Sequence, residues 1–242
     1  RLGPHALDAD LNGGREWLLS EWRESESIGI TALVIPEEEG GAGQSDWCCG
    51  LVLDTLSSEC AGAASLFLHH YTACRAISAA GESNFFPMLA DAGKQPASIA
   101  TVIFPSDMDD RRLIIRQEGQ KLLLRGKSPL VGNATFARFF LVFAYEDGDT
   151  DGVTCILIDR QSQDIPCGEE AGLPGLKVNP FAPLIFEDVE ISPERIIGKR
   201  GEGRNLCTKT LDIYHGFIAA CAMGAARSAY GKALNYAGDR YQ

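Results

Sequence analysis

The chain has 242 residues and a formal net charge of −11, with 45% hydrophobic and 23% charged residues. This is ordinary for a globular protein of one to two domains. The acidic balance argues against a nucleic-acid surface, which needs a basic face, and no apolar run approaches the ~20 residues that span a bilayer.

The opening Arg1-Leu2-Gly3-Pro4 has no signal-peptide pattern and no initiator Met, so residues are expected before it. The eight cysteines (Cys48, Cys49, Cys60, Cys74, Cys155, Cys167, Cys207 and Cys221) include no CxxC pair. They read as small buried hydrophobes in a reducing compartment, the cytoplasm or the mitochondrial matrix. The four histidines show no zinc-ligand spacing with them, so no metal site is expected.

In chain order, residues 15–29 form an amphipathic helix, with Trp17, Leu18, Trp22 and Ile28 set among Glu and Arg. A short apolar run, Gly29 to Pro36, is stopped by proline and by Gly40-Gly41-Ala42-Gly43. Ser45-Asp46 then supplies an N-cap and an acidic first turn for a helix over about 47–60. Ala63, Leu66, Phe67, His70, Ala73, Cys74 and Ile77 step by threes and fours, the buried face of a further helix that Gly81 ends. His69 and His70 read as packed histidines rather than ligands. A short helix over 85–92 closes the lobe.

From Ala97 the period changes to two. Residues 98–104 are strand-like, and the segments 113–116 and 121–124 flank Glu118-Gly119 as a hairpin. Phe139 to Tyr145, Val153 to Ile158 and Pro183 to Ile191 are further strands, giving a barrel or sandwich. Gly198 to Gly203 reads as a plain turn rather than a phosphate cradle, because no strand runs directly into it. The last helix, from about Leu206, is apolar on more than one side and rich in alanine. It reads as one member of a bundle whose partner helices lie beyond Gln242.

This order of elements resembles the acyl-CoA dehydrogenase family over nearly the whole chain. The segments that carry the resemblance are Gly29–Gly43 (GITALVIPEEEGGAG), the helix through His69-His70, Ala182–Val189 (APLIFEDV) with Ile197-Gly198 and Gly201-Glu202-Gly203, and Leu211-Asp212. The resemblance implies an α+β fold: an N-terminal helical domain (1–95), a middle antiparallel β-barrel-like domain (96–195) and the first helix of a C-terminal four-helix bundle (196–242). It implies α,β-desaturation of an acyl-CoA thioester with FAD as hydride acceptor, in a homo- or hetero-oligomer.

Three motifs that serve this chemistry in the family are altered. The family's TEPxxGSD corresponds to Ala100 to Asp107, where only Ser106-Asp107 survives. Its NGxKxWIT(N/S) corresponds to Arg125 to Asn133, so that Leu130 replaces an aromatic platform and Gly132 a hydroxyl donor. Its LDxxR retains Asp212 but has His215 for Arg. Tyr214 stands where a minority of members carry the catalytic Glu, and a phenol is a poor base at neutral pH.

The resemblance therefore assigns Ala100, Thr101, Val102, Ser106, Leu130, Val131 and Gly132 to the cofactor. It assigns Ser106, Asp212, Tyr214 and His215 to the substrate, and no catalytic base within these residues. Arg125, Lys127 and Arg138 are the nearest basic candidates for the phosphates of CoA. Two readings follow: a flavin-dependent acyl-CoA dehydrogenase with a divergent pocket, or a non-catalytic or structural subunit of a hetero-oligomeric dehydrogenase with a degraded FAD site.

Overall fold

The computed structural model describes residues 2–89, 98–108, 110 and 112–240. Its first helix, α1 (Gly3–Asn12), has Pro4 in its first turn and ends at Gly13 in the left-handed region, but its apolar period is no guide: its buried residues are Ala6 and Ala9, while Leu7 and Leu11 face outward. The apolar pattern is thus reversed on a small-residue face. Helix α2 (Arg15–Ser27) buries Leu18 and Trp22 as the periodicity requires.

Helix α3 (Asp46–Glu59) starts at Ser45, whose hydroxyl accepts from the Cys48 N–H and satisfies one of the free donors of the first turn. Helix α4 (Ala61–Ala80) is buried along most of its length and ends at Gly81 in the left-handed region. The expected helix over 85–92 is a 3-10 turn (Ser83–Phe85) followed by α5 (Phe86–Leu89). Its expected end at Ala92 and the domain boundary between 95 and 96 fall outside the described residues.

The sheet contains β1 (Ala100–Ile103), β2 (Leu113–Glu118), β3 (Lys121–Lys127), β4 (Phe139–Glu146), β5 (Asp149–Asp159), β6 (Ile185–Ile191) and β7 (Ile196–Ile197). Its main path runs β6-β3-β2-β4-β5-β7, with β1 also paired to β4. Pairing is antiparallel for β2–β3, β3–β6, β4–β5 and β5–β7. The pairs β1–β4 and β2–β4 are parallel, a departure from an all-antiparallel lobe. Parallel neighbours need a long connection, and both of these pairs have one. Phe139 to Ala144 of β4 are inaccessible to solvent on both faces, which explains their unbroken apolar run.

Helix α6 (Arg204–Asp239) lies across α3 and α4. The helical lobe and the sheet share one contiguous core rather than two separate ones. Among the described residues no helix is long and apolar enough to cross a membrane.

Candidate functional site

The three altered motifs lie far apart in sequence and meet at one place. Thr101 Oγ1 on β1 donates to the Gly132 carbonyl at 2.8 Å, joining the first motif to the second. Phe104, just past β1, lies 5.2 Å from the Tyr214 ring of α6, joining the first to the third. Phe104 also stacks on Phe143 of β4, with ring planes 2° apart. His69 of α4 stands between the second and third: its ring is 5.6 Å from Tyr214 and 5.5 Å from Phe181.

The loop after β3 is held from several sides. Val131 and Ala182 exchange backbone hydrogen bonds at 3.0 and 3.2 Å. Ser128 Oγ accepts from the Leu184 N–H at 2.8 Å. Asn133 is the clamp. It has φ of 62°, a conformation asparagine tolerates better than most residues. Its Nδ2 donates to the carbonyls of Leu66 (2.9 Å) and Ala100 (3.3 Å), and its N–H donates to Asn179 Oδ1 at 3.2 Å. Asn179 Nδ2 donates in turn to Asn133 Oδ1 and to Ser65 Oγ, both at 2.8 Å. Every member of this network is buried, where an unpaired amide would be costly. The sequence offered one signal for it: Asn133 stands at the last position of the second altered motif. Its partners come from three distant segments.

The two histidines differ. His70 has both ring nitrogens engaged: Nε2 faces the Thr31 carbonyl at 3.1 Å, and Nδ1 accepts from the Ala100 N–H at 3.1 Å. That pairing fixes the neutral tautomer with its proton on Nε2. His69 is also buried, yet its Nδ1 has no hydrogen-bond partner. Its Nε2 lies against Gly132, where a Cβ would come within 2.1 Å of it. Burial holds the pKa of each imidazole down to about 4, so both are neutral at pH 7.

Of the residues assigned to the cofactor, Ala100, Thr101, Val102, Val131 and Gly132 are buried in the protein's own packing. Leu130 is 42% exposed. Ser106 is half-buried and its hydroxyl accepts from the Met108 N–H. The substrate set is not brought together. Tyr214 turns inward to Phe104 and His69, and burial, then Cys221, raises its phenol pKa above the ordinary value. Asp212 lines a 670 Å³ groove between α3 and α6 with Trp47, Leu51, Phe217 and Met223. His215 is exposed. Asp212 and Tyr214 are two residues apart, which puts them on different sides of a 3.6-residue helix.

The basic candidates for a CoA phosphate are changed as well. Arg138 makes a two-pronged pair with Asp159, at 3.1 and 3.0 Å. Its charge is committed inside the protein, so it is not a phosphate ligand. Arg125 is exposed, 4.0 Å from Asp188.

A helical lobe, a β sheet and a long closing helix that meet at one aromatic junction define the class of fold. Residues 1–85 match the family model described as the N-terminal domain of acyl-CoA dehydrogenase. The cyclohex-1-ene-1-carbonyl-CoA dehydrogenase of Syntrophus aciditrophicus (strain SB) is 24% identical over 223 residues, covering 89% of this chain and 54% of that protein. Butyryl-CoA dehydrogenase from Megasphaera elsdenii aligns with a TM-score of 0.85 at 22% identity, over 100% of this chain and 66% of that one. An acyl-CoA dehydrogenase from Bacillus anthracis, solved with FAD, aligns with a TM-score of 0.85 at 20% identity, over 99% of this chain and 42% of that one. The chain is similar to acyl-CoA dehydrogenases over most of its length, and the family model itself matches its N-terminal part, residues 1–85. It spans between about half and two thirds of the length of the curated relatives it matches first.

Proposed function

We propose that the full-length protein is a flavoprotein of the acyl-CoA dehydrogenase type that desaturates an acyl-CoA thioester between Cα and Cβ. The observation that carries this reading is the convergence of the three motif segments, through Thr101–Gly132 and Phe104–Tyr214, although their side chains have changed. Beside the rings of Phe104 and Tyr214 the space at Gly132 is filled by the buried His69 imidazole, and of the residues assigned to the cofactor Leu130 and Ser106 remain accessible. The exposed Leu130 and the Ser106 hydroxyl would hold the cofactor. When bound, FAD supplies the acceptor for the hydride that leaves Cβ.

The chain's own residues form the wall of the site. Phe104, Tyr214 and Phe181 exclude water from the reacting carbons. Tyr214 stays protonated at neutral pH and does not take the α-proton. Asp212 opens onto the α3–α6 groove instead. In this reading the base is a carboxylate outside residues 1–242.

A second reading, a non-catalytic subunit, is favoured by the losses at Leu130 and Gly132. An aromatic stack is worth roughly 0.5–1.5 kcal/mol beyond burial. One hydrogen bond is worth about 1 kcal/mol net. Together they would weaken FAD on the order of tenfold to a hundredfold. Purification of the full-length protein decides between the two. A yellow protein whose flavin absorbance bleaches with an acyl-CoA supports the enzyme. A colourless protein that binds no added FAD establishes the second reading.

A further inference from the structure

We propose that the N-terminal helix is a latch on the loop of the second motif, with Asp10 as its positioning residue. The Asp10 carboxylate sets residues 130–133 through the strap of chain over residues 170–184. This concerns the conformation of the loop and is independent of whether flavin binds beside it.

The contacts run from the surface inward. Asp10, in the last turn of α1, accepts at Oδ1 from the Lys177 N–H at 2.7 Å and from the Val178 N–H at 3.4 Å. Arg15, at the start of α2, pairs with Glu170. The helical lobe thus holds the strap at two places. The next strap residue, Asn179, exchanges hydrogen bonds with Asn133 through its side-chain amide. Further along, Ala182 and Val131 exchange backbone hydrogen bonds, and the Ser128 N–H donates to the Leu184 carbonyl at 2.9 Å. The strap therefore lies along residues 128–133 as an irregular extra strand. A displacement at residues 177–179 is passed to the loop through Asn133.

The strap needs this anchor because its own backbone resists the conformation. Leu176 has φ of 62°, a left-handed geometry that leucine rarely adopts and that persists where the surroundings impose it. Successive N–H groups beside a left-handed residue form a small anion-binding concavity, and here the anion is Asp10. Val178 is buried, so its N–H would lose its acceptor with little water to replace it. On the opposite side, α4 sets a stop: a Cβ on Gly62 would meet Val178 Cγ2 at 2.3 Å. The strap is held between a carboxylate that draws it to α1 and a glycine that lets it rest against α4.

Amide hydrogen exchange of the full-length protein, read by mass spectrometry, tests this on wild type, Asp10→Ala, Asp10→Asn and the double variant Asp10→Ala with Leu176→Gly. Urea unfolding of each gives the global stability. Asp10→Ala is expected to speed exchange about tenfold at residues 176–179 and to a similar degree at 130–133, the effect of one lost charge-assisted hydrogen bond. Exchange in β4 is expected to stay at the wild-type rate. Asp10→Asn keeps an acceptor oxygen and should restore most of the protection. Glycine adopts φ of 62° without strain, so Leu176→Gly should return part of the protection that Asp10→Ala removes. If Asp10→Ala loosens residues 176–179 while 130–133 exchange as in wild type, the strap does not transmit and the latch is overturned. Equal acceleration everywhere, β4 included, would show that Asp10 serves only overall stability, which overturns it too. Failure of Asp10→Asn to protect the loop better than Asp10→Ala would overturn the role assigned to the carboxylate oxygen.

Discussion

His70 shows how one buried side chain couples distant segments. Its neutral ring bonds the Thr31 carbonyl on one side and the Ala100 N–H on the other, joining the loop after α2 to the first strand. A second proton would set an N–H against the Ala100 N–H. The pKa of His69 and of His70 is lowered by burial from 6.5 to about 4, so between these values the unfolded chain binds more protons than the folded one. Stability from these groups is complete above about pH 6.5. It is lost as pH falls towards 4, by about 2 kcal/mol per histidine between pH 7 and 5. His70→Ala should lower stability at pH 7 by roughly 3 kcal/mol, because it orphans two buried backbone groups and opens a cavity. It should also flatten the dependence between pH 7 and 5. Urea unfolding followed by circular dichroism at the two pH values measures both effects, and parallel curves for wild type and variant would refute the neutral, doubly bonded ring.

Asn133 is the second residue with a large expected effect. Alanine there keeps the strained φ of 62° while removing hydrogen bonds to Leu66, Ala100 and Asn179. A loss of about 2–4 kcal/mol is expected. The loop it clamps carries Leu130 to Gly132, so limited proteolysis near Leu130 should speed up more than global unfolding does. Cleavage at the wild-type rate would show that the loop is held by other means.

At the scale of elements, the contact of α6 with α3 depends on close backbone approach. A Cβ on Gly224 would come within 2.0 Å of the Asp54 carbonyl oxygen, which is backbone and cannot swing away. Asp54 also pairs with Arg227, one turn further along α6. Gly224→Ala is therefore informative. Helix propensity alone would favour alanine by about 1 kcal/mol, whereas the packing requires the two helices to separate. The variant should melt several degrees lower. An increase in melting temperature would mean that the helices do not touch at Gly224. Within the sheet, the paired β1 and β4 explain why the alternation expected of strands is absent there: both faces are covered, so the polar positions vanish.

At the scale of the molecule, α6 and α3 present apolar groups to solvent. Trp47 is 78% exposed, and Met223, Tyr230, Leu234 and Tyr236 are also exposed. Apolar surface gathered on one side of a protein is a site of association. Residues 1–242 alone are therefore expected to self-associate, and the full-length protein to be an oligomer. Light scattering during size-exclusion chromatography checks this, and a stable monomer at tens of micromolar would contradict it.

The sequence by itself determined the order of the elements, because hydrophobic period, caps and turns are local properties. Ser45, Gly81 and Gly119 each mark an element end within one or two residues. It also identified the motif segments of the site, and showed that Leu130, Gly132 and Tyr214 depart from the family's pattern. It did not reveal α1, whose buried face is two alanines, nor the parallel pairings of β4, which depend on long connections. Only the tertiary structure decided which histidine is satisfied and which is not. His69 and His70 are neighbours of one type on one helix, yet one faces a carbonyl and an N–H while the other faces Gly132. It likewise placed Arg138 on Asp159, away from any phosphate, and separated Asp212 from Tyr214 across α6. The physical reason is the same in each case: a side chain's chemistry is set by what its direction brings it against, and those neighbours come from segments far along the chain.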